Sequence, residues 1–560
     1  MSSLFKAAKH PLSLALAIAL GGVTLPAYAK QASPNILVIM ADDLGWSDIA
    51  PYGGEIQTPY LDELAKEGVG FTNFFVSPYS SPSRAMFLTG ADPHEVGLGN
   101  IYELNTPEQA AAPNYVGHLT NNATTIAQRF KSAGYHTVLS GKWHLGKAIE
   151  HQPNAWGFDD SFALLNGEAN NYRYQDRQDS PDGRDLYSHN GADVQLPEGV
   201  FSTDFYTDYL LESLSKQPKD QPFFAFLAYT APHSPLQAPQ AYVDKYQDFY
   251  HDGPQALADR RFDRLKAKGL VSKDAVAYPL IATPDWQSLS DDQRAVETKR
   301  MQLYAAMVDN MDYNIGRVIS HLKDSGQYDD TVIVFLSDNG AAGASREASQ
   351  KWGSWIRASR DNVLSNMGQS NSYVSTGQAW AQASMSPFAH FKGFTTDGGI
   401  RSPLIIKAPT AKAGSIEGRY STLKDLAPTL LDLAGVSKAT APNKTPLTGM
   451  SLNDRLIAPS AQLQGPIRAE SLEMRGHRQV RQGNFKAVYT GTLPAGLPID
   501  QLDAGQWKLY DVHADPGETT NIAKDHPEVL AAMIQQYVKY SDAVKVVEIG
   551  PINPQVSDSK

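Results

Sequence analysis

The sequence predicts an α/β protein: a large, mostly parallel mixed sheet sandwiched by helices, with a smaller C-terminal domain of short antiparallel sheet and one helix. Three observations predict it. Residues 35–40, Asn-Ile-Leu-Val-Ile-Met, are an unbroken apolar run suited to a strand covered on both faces. Similar runs recur at 135–139, 223–229 and 331–336, with helix-length stretches between them, and that alternation favours a parallel sheet. After about residue 465 the texture changes to short strand-like segments around turns.

Taken in order, residues 1–29 read as an export signal. Lys6 and Lys9 give a positive start, 12–20 an apolar run, and Ala27-Tyr28-Ala29 a small-residue cleavage site. The run falls short of the roughly 20 residues that span a bilayer, so an exported bacterial protein, periplasmic or secreted, is expected, with no membrane partner. Thr58 and Pro59 are expected to cap a helix carrying Leu61, Leu64 and Ala65, stopped near Gly68. Ser81 is expected to cap a second helix, with Pro82 in its first turn and Gly90 at its stop. Ser290 and Gln293 form a capping box for a long helix whose stripe runs through Met301, Tyr304, Val308, Met311, Ile315, Ile319 and Leu322. The polar stretches 236–290 and 341–390 lack a clean period and read as insertions, of the kind that often wall a substrate. Short strands are expected at 479–480, 485–489 and 507–512, then an amphipathic helix from 527 to about 540. The predicted organisation is a signal at 1–29, a catalytic α/β domain at 30–465 and a C-terminal subdomain at 466–560.

Composition narrows the chemistry. The 560 residues include no cysteine, which excludes disulfides, thiolate metal sites and a cysteine nucleophile. A formal charge of −11 argues against a nucleic-acid partner or an anionic membrane surface. With 42% apolar residues the chain has an ordinary globular composition.

The informative polar residues follow the strands. Asp42 and Asp43 follow the first, Lys142 and His144 the second, His233 the third, and Asp338 and Asn339 the fourth. Ligands of open parallel sheets bind beyond the carboxyl ends of strands, so separate strands deliver acids, an amide, an ammonium and imidazoles to one edge. Singly, each residue has a plain structural role as a cap, turn, satisfied core residue or solvated charge. Ser80 stands at the predicted start of the second helix, where free N–H groups favour an anion, and Arg84 lies about one turn along.

Ser80-Ser81-Pro82-Ser83-Arg84, followed by Phe87-Leu88-Thr89-Gly90, resembles the signature of the sulfatase family within the alkaline phosphatase superfamily. Matching segments occur in the family's order over most of residues 34–440. They are Ala41-Asp42-Asp43-Leu44-Gly45, Gly141-Lys142-Trp143-His144-Leu145-Gly146, Pro232-His233-Ser234-Pro235, Ser337-Asp338-Asn339-Gly340, and Lys392 with Gly399-Ile400-Arg401-Ser402-Pro403. Leu509-Tyr510-Asp511 and Asp515-Pro516-Gly517-Glu518 are also similar, and Asn371-Ser372-Tyr373 with Trp380-Ala381-Gln382-Ala383 resembles the bacterial arylsulfatase branch. Tyr79 departs from the aliphatic or small residue usual before the signature.

The resemblance implies hydrolysis of sulfate esters through formylglycine (3-oxoalanine) made from Ser80. Asp42, Asp43, Asp338, Asn339 and the modified Ser80 oxygen would be metal ligands. Such an all-oxygen set suits Ca²⁺, with Mg²⁺ the smaller rival, and lacks the nitrogen or sulfur expected for zinc. Arg84, Lys142 and Lys392 would offset charge, His233 or Lys392 would protonate the leaving oxygen, and His144 would assist a second deprotonation. A hydrated aldehyde offers two hydroxyls on one carbon, so covalent sulfate transfer can be reversed without attack by water at sulfur. Because the chain lacks cysteine, the implied partner is a radical-SAM maturase that oxidises the serine; the substrate would be a small-molecule or glycan sulfate ester. Two alternatives are a phosphonate monoester or phosphodiester hydrolase of the same superfamily, and a silent exported metal- and anion-binding protein. Trp352, Trp355, Tyr373 and Trp380 either wall a leaving group or, more simply, pin a long loop to the body.

Overall fold

The computed structural model describes residues 33–174, 180–281, 283–491 and 505–550, and residues from Pro34 onward form one compact unit. The export signal expected at 1–29 and the last ten positions of the C-terminal segment lie outside the described residues.

A ten-stranded sheet forms the centre. Its order is Ser415–Glu417, Val69–Phe71, Leu404–Lys407, Thr331–Ser337, Asn35–Ala41, Phe223–Ala228, His136–Lys142, Asp160–Leu164, Tyr187–His189 and Ala192–Val194. The five strands from Thr331–Ser337 to Asp160–Leu164 are parallel, and antiparallel pairing appears on either side of them. Alternation along the central strand explains its unbroken apolar run. Leu37, Ile39 and Ala41 enter one core with Met301, Tyr304 and Val308 of the long helix Asp291–Asp324. Ile36, Val38 and Met40 enter the opposite core with Ala85, Phe87 and Leu88 of the helix Ser80–Thr89. Both faces are covered, as the strand pattern requires.

Register aligns the strand ends. Ala41 pairs with Ser337, Met40 with Ala228, and Gly141 with Ala228, so four chain segments leave the sheet at one level. The strand expected at 135–139 runs on through Lys142, which makes that lysine the last strand residue. The helix expected to be capped by Ser81 begins two residues earlier: Tyr79 is its extended N-cap residue and Ser80 its first helical residue. Pro82 is still accommodated, because first-turn N–H groups have no partner within the helix.

The two polar stretches are built rather than loose. The first holds the helix Gly253–Ala267, whose buried stripe of Leu257, Ala258 and Leu265 is interrupted by Arg261. That arginine is itself buried against Asp48 (2.5 Å) and Glu55 (2.8 Å), which disguised the stripe in the sequence. The second holds the helices Gln350–Ser359 and Gln378–Met385.

The C-terminal sheet has four antiparallel strands: Glu470–Met474, His477–Gln482, Phe485–Tyr489 and Trp507–Asp511. The first had no strand reading in the sequence. The helix Pro527–Val544 covers the sheet through Met533, Ile534 and Tyr537. Buried charge ties this sheet to the body. His94, beyond the Ser80–Thr89 helix, lies between Asp92 (2.9 Å) and Glu473 (3.2 Å).

Candidate active site

The aligned strand ends bring the predicted residues together. Immediately after Ala41 the backbone turns at Asp43, which adopts a left-handed φ of 67°. Non-glycine residues seldom hold this conformation without support. Here the Asp43 N–H donates to Asp338 Oδ1 (3.3 Å), and its carbonyl oxygen lies 3.1 Å from the Tyr304 hydroxyl. Tyr304 also accepts from Gly45 N–H (3.1 Å) and donates to Asp48 (2.6 Å), which Arg261 holds from the other side. Tyr304 was visible in the sequence only as part of an apolar stripe.

Ser80 projects from its helix start into this turn. Its Oγ lies 3.3 Å from Asp42 Oδ1, 3.2 Å from Asn339 Oδ1 and 3.3 Å from Lys142 Nζ. Asn339 Nδ2 donates to Asp43 Oδ1 at 2.6 Å. Each carboxylate has its own cation: Asp42 with Lys142 (2.6 Å), Asp43 with Lys392 (2.5 Å), and Asp338 with Arg84 (2.9 Å). Arg84 also donates to the Lys142 carbonyl oxygen at 2.9 Å, joining helix to strand end. Burial opposes ionisation of Asp42 and Asp43, yet Lys142 for the first and Lys392 for the second hold both below the usual carboxylate range. Burial lowers Lys142 despite Asp42, whereas at Lys392 burial is outweighed by Asp43, Asp42 and Asp338 together, which raise it.

The donor set fits a hard dication. Asp43 Oδ2 is buried and has no hydrogen-bond partner, and the nearby donors of Asp42, Asp338, Asn339 and Ser80 are all oxygen. Three acids already balance three bases, so an added dication would leave two positive charges, a surplus suited to a bound oxyanion. His233 lies closer to this set than its sequence position suggested. Its Nε2 is 3.4 Å from Asp43 Oδ2, and ligand atoms of Asp42, Asp43 and His233 fall within 4.8 Å of one another.

His144 also has a left-handed φ, 55°, and its buried Nδ1 has no hydrogen-bond partner. Burial first, then Lys142 and Arg84, press its pKa well below the ordinary value, so the ring is neutral and able to accept a proton. Gly167 makes room for it: a Cβ there would meet the ring at 2.6 Å (Cε1) and 2.8 Å (Nε2).

The segment that carries Gly167 links the two histidine loops. Asn171 Nδ2 donates to the Pro235 carbonyl oxygen (3.0 Å) and its N–H to Gln237 Oε1 (2.9 Å), just beyond His233. Between these ties lies Glu168, buried and held by Tyr373 (2.6 Å) and Arg346 (2.9 Å). No motif in the sequence pointed to Gly167, Glu168 or Arg346. Trp352, Tyr373 and Trp380 are buried, so these aromatics pin their loops to the body, while Trp355 is half-buried against the Trp352 and Tyr373 rings.

Comparison with known proteins agrees in kind. Residues 34–436 match the family model described as Sulfatase. An uncharacterised sulfatase of Schizosaccharomyces pombe is 37% identical over 93% of this chain and 96% of its own length. An arylsulfatase of Klebsiella aerogenes is 35% identical over 80% of this chain and 96% of its own. The crystal structure of Ps i-CgsB with k-i-k-neocarrahexaose superposes with a TM-score of 0.64 at 26% identity, covering 91% of this chain and 93% of that one.

Proposed function

The chain belongs to the sulfatase family, and from that premise we propose that it is an exported arylsulfatase-type hydrolase using Ca²⁺ and a formylglycine made from Ser80. The observation that most supports this reading is the position of Ser80 Oγ, buried and within 3.3 Å of Asp42, Asn339 and Lys142 at the strand ends. An ordinary capped helix gives no reason for a serine to face a carboxylate, an amide oxygen and an ammonium together.

In this proposal Asp42, Asp43, Asp338, Asn339 and the oxygen at position 80 hold the dication, which when bound supplies Lewis-acid stabilisation of negative oxygen. Oxidised to formylglycine, position 80 supplies a hydrated aldehyde as nucleophile. The chain's own residues do the rest. Lys142, Lys392 and Arg84 balance charge on the bound sulfate and on the oxygen that develops charge. His144, neutral and with an unpartnered Nδ1, takes a proton at its ring. His233 or Lys392 gives a proton to the leaving oxygen; both reach Asp43, from opposite ends of its carboxylate. Glu168, next to Gly167 and held by Arg346 and Tyr373, would then border the leaving group of a small-molecule or glycan sulfate ester.

We place the export signal at 1–29, the catalytic domain at 30–465 and the C-terminal subdomain at 466–560. Among the described residues no helix is long and apolar enough to cross a membrane. The lack of cysteine leaves no substrate for an oxidase acting on thiols, and the family resemblance then implies a radical-SAM maturase as the partner that oxidises Ser80.

The test compares hydrolysis of nitrophenyl sulfate and of a nitrophenyl phosphodiester by protein made with and without a maturase. Sulfate hydrolysis that depends on maturation and is lost in Ser80→Ala is expected. A preference for the phosphodiester would favour the phosphonate or phosphodiester alternative, and no turnover of either by oxidised protein would favour a binding protein.

A further inference from the structure

The C-terminal sheet also meets the body through a second charge cluster, which the proposed chemistry does not use. Asp397 and Glu518 face Arg401, Arg481 and Lys486, each no more than 4% exposed. Asp397 carries most of the pairing: Oδ2 accepts from Arg401 at 3.1 Å, and Oδ1 from Lys486 at 2.6 Å and Arg481 at 3.4 Å. Glu518 Oε1 lies 2.8 Å from the Lys486 ammonium as an ion pair, and its Oε2 accepts from the Asp397 N–H (2.8 Å). Three cations therefore share two carboxylates, and all five side chains are buried. A buried charge without a counter-charge is strongly unfavourable.

Geometry shows where a counter-charge would go. The Arg481 guanidinium lies 4.4 Å from the Phe75 ring and 5.7 Å from that of Tyr420. Its Nη1 reaches Asp397, but its Nε is buried with no hydrogen-bond partner. Arg401 lies over the Phe388 ring at 4.2 Å and donates through Nε to the Thr72 carbonyl oxygen at 2.9 Å. Both arginines line a cavity of about 40 Å³, bordered also by Asn73, Gln464, Asn484 and His513. That volume holds a small anion or roughly two to three waters. Water would satisfy Arg481 Nε but leave the charge. Burial, opposed by Asp397 and with a smaller contribution from Arg481, brings the Arg401 guanidinium down to about 10.

We propose that this cavity binds one small monovalent inorganic anion of the halide class, on Arg481 Nε and Arg401, and that its occupancy locks the C-terminal sheet onto the body. One negative charge completes the balance, whereas a divalent oxyanion would reverse it.

The test follows thermal unfolding of the full chain at fixed pH and ionic strength while gluconate is exchanged for chloride or bromide. A Tm that rises by several degrees and saturates is expected, with at least a tenfold weaker halide response in Arg481→Gln. Since that variant also loses a bond to Asp397, crystals of the unaltered protein soaked in bromide give an independent reading: an anomalous peak within hydrogen-bond distance of Arg481 Nε. A cavity holding only water, with equal Tm in gluconate and chloride, overturns the proposal. So does a halide response that survives Arg481→Gln intact, and a bromide peak without any thermal response overturns the locking role. Neither readout involves turnover, so failure here leaves the proposed hydrolysis standing.

Discussion

Replacement of Lys142 by methionine keeps the side chain as far as Cε and deletes the ammonium at the point where three segments meet. In the native protein the ammonium lies 2.6 Å from Asp42 Oδ2 and 3.3 Å from Ser80 Oγ, and both ion-pair side chains are at most 1% exposed. Removing one partner of a buried pair costs about 3–5 kcal/mol, because the other charge is left unpaired out of water. Calcium sharing Asp42 would supply that missing charge. The account therefore expects Lys142→Met to lose most stability in EDTA and to recover part of it when Ca²⁺ is added. Turnover should not recover in the same way. A charged donor aimed at developing negative oxygen is worth about 10²–10³ in kcat, and a metal bound beside it does not replace it. Calorimetry with and without Ca²⁺, together with kcat and KM on nitrophenyl sulfate, reads both effects. Wild-type kcat in Lys142→Met, or a thermal penalty indifferent to calcium, would refute the reasoning.

Three further outcomes are expected. Tyr304→Phe removes a charge-assisted bond to Asp48 and the hydroxyl beside the Asp43 carbonyl; it should cost about 2 kcal/mol of stability and weaken calcium binding about 10–100-fold by isothermal titration. Unaltered calcium affinity would mean that this hydroxyl does not position the turn. Gly167→Ala puts a methyl group within 2.8 Å of the His144 ring and should lower kcat by about 10²-fold in a protein whose circular dichroism is unchanged. Full activity would remove His144 from the proton-transfer role. At the C-terminal junction, burial opposes charge on His94, but Asp92 and Glu473 outweigh it and raise its pKa from 6.5 to about 9. Its stabilisation is fully present below pH 6.5 and fades as pH rises through about 9, a change of roughly 3 kcal/mol. His94→Gln should flatten the fall in Tm over that window, and parallel Tm curves would contradict it.

Much of this arrangement was legible because strand chemistry is local. The run at 35–40 is apolar on both faces, and the structure buries each face in a different core. Polar residues placed directly after such strands had to share an edge once the strands were parallel. Features that depend on distant partners were not legible. Arg261 breaks the apolar period of its segment, and its burial is explained only by Asp48 and Glu55, over 200 positions away in sequence. Gly167 had no visible role until the His144 ring came against it, and Glu168 none until Arg346 and Tyr373 did. The strand Glu470–Met474 was hidden for another reason: two of its five residues are glutamate, and Glu473 is fully buried because His94 meets it. The sequence reading starts the Ser80–Thr89 helix two residues late, since a serine before a proline is as good a cap in sequence as a helical residue of the first turn.

The central claim is that an oxidised Ser80, held among these oxygen donors, carries the sulfate chemistry. It is tested most directly by titrating maturation in one expression host. The fraction of residue-80 peptide lighter by about 2 Da than the unmodified serine form is measured by mass spectrometry and compared with specific activity on nitrophenyl sulfate. The account predicts a straight line through the origin. Full activity in a preparation whose peptide carries only unmodified serine would contradict it.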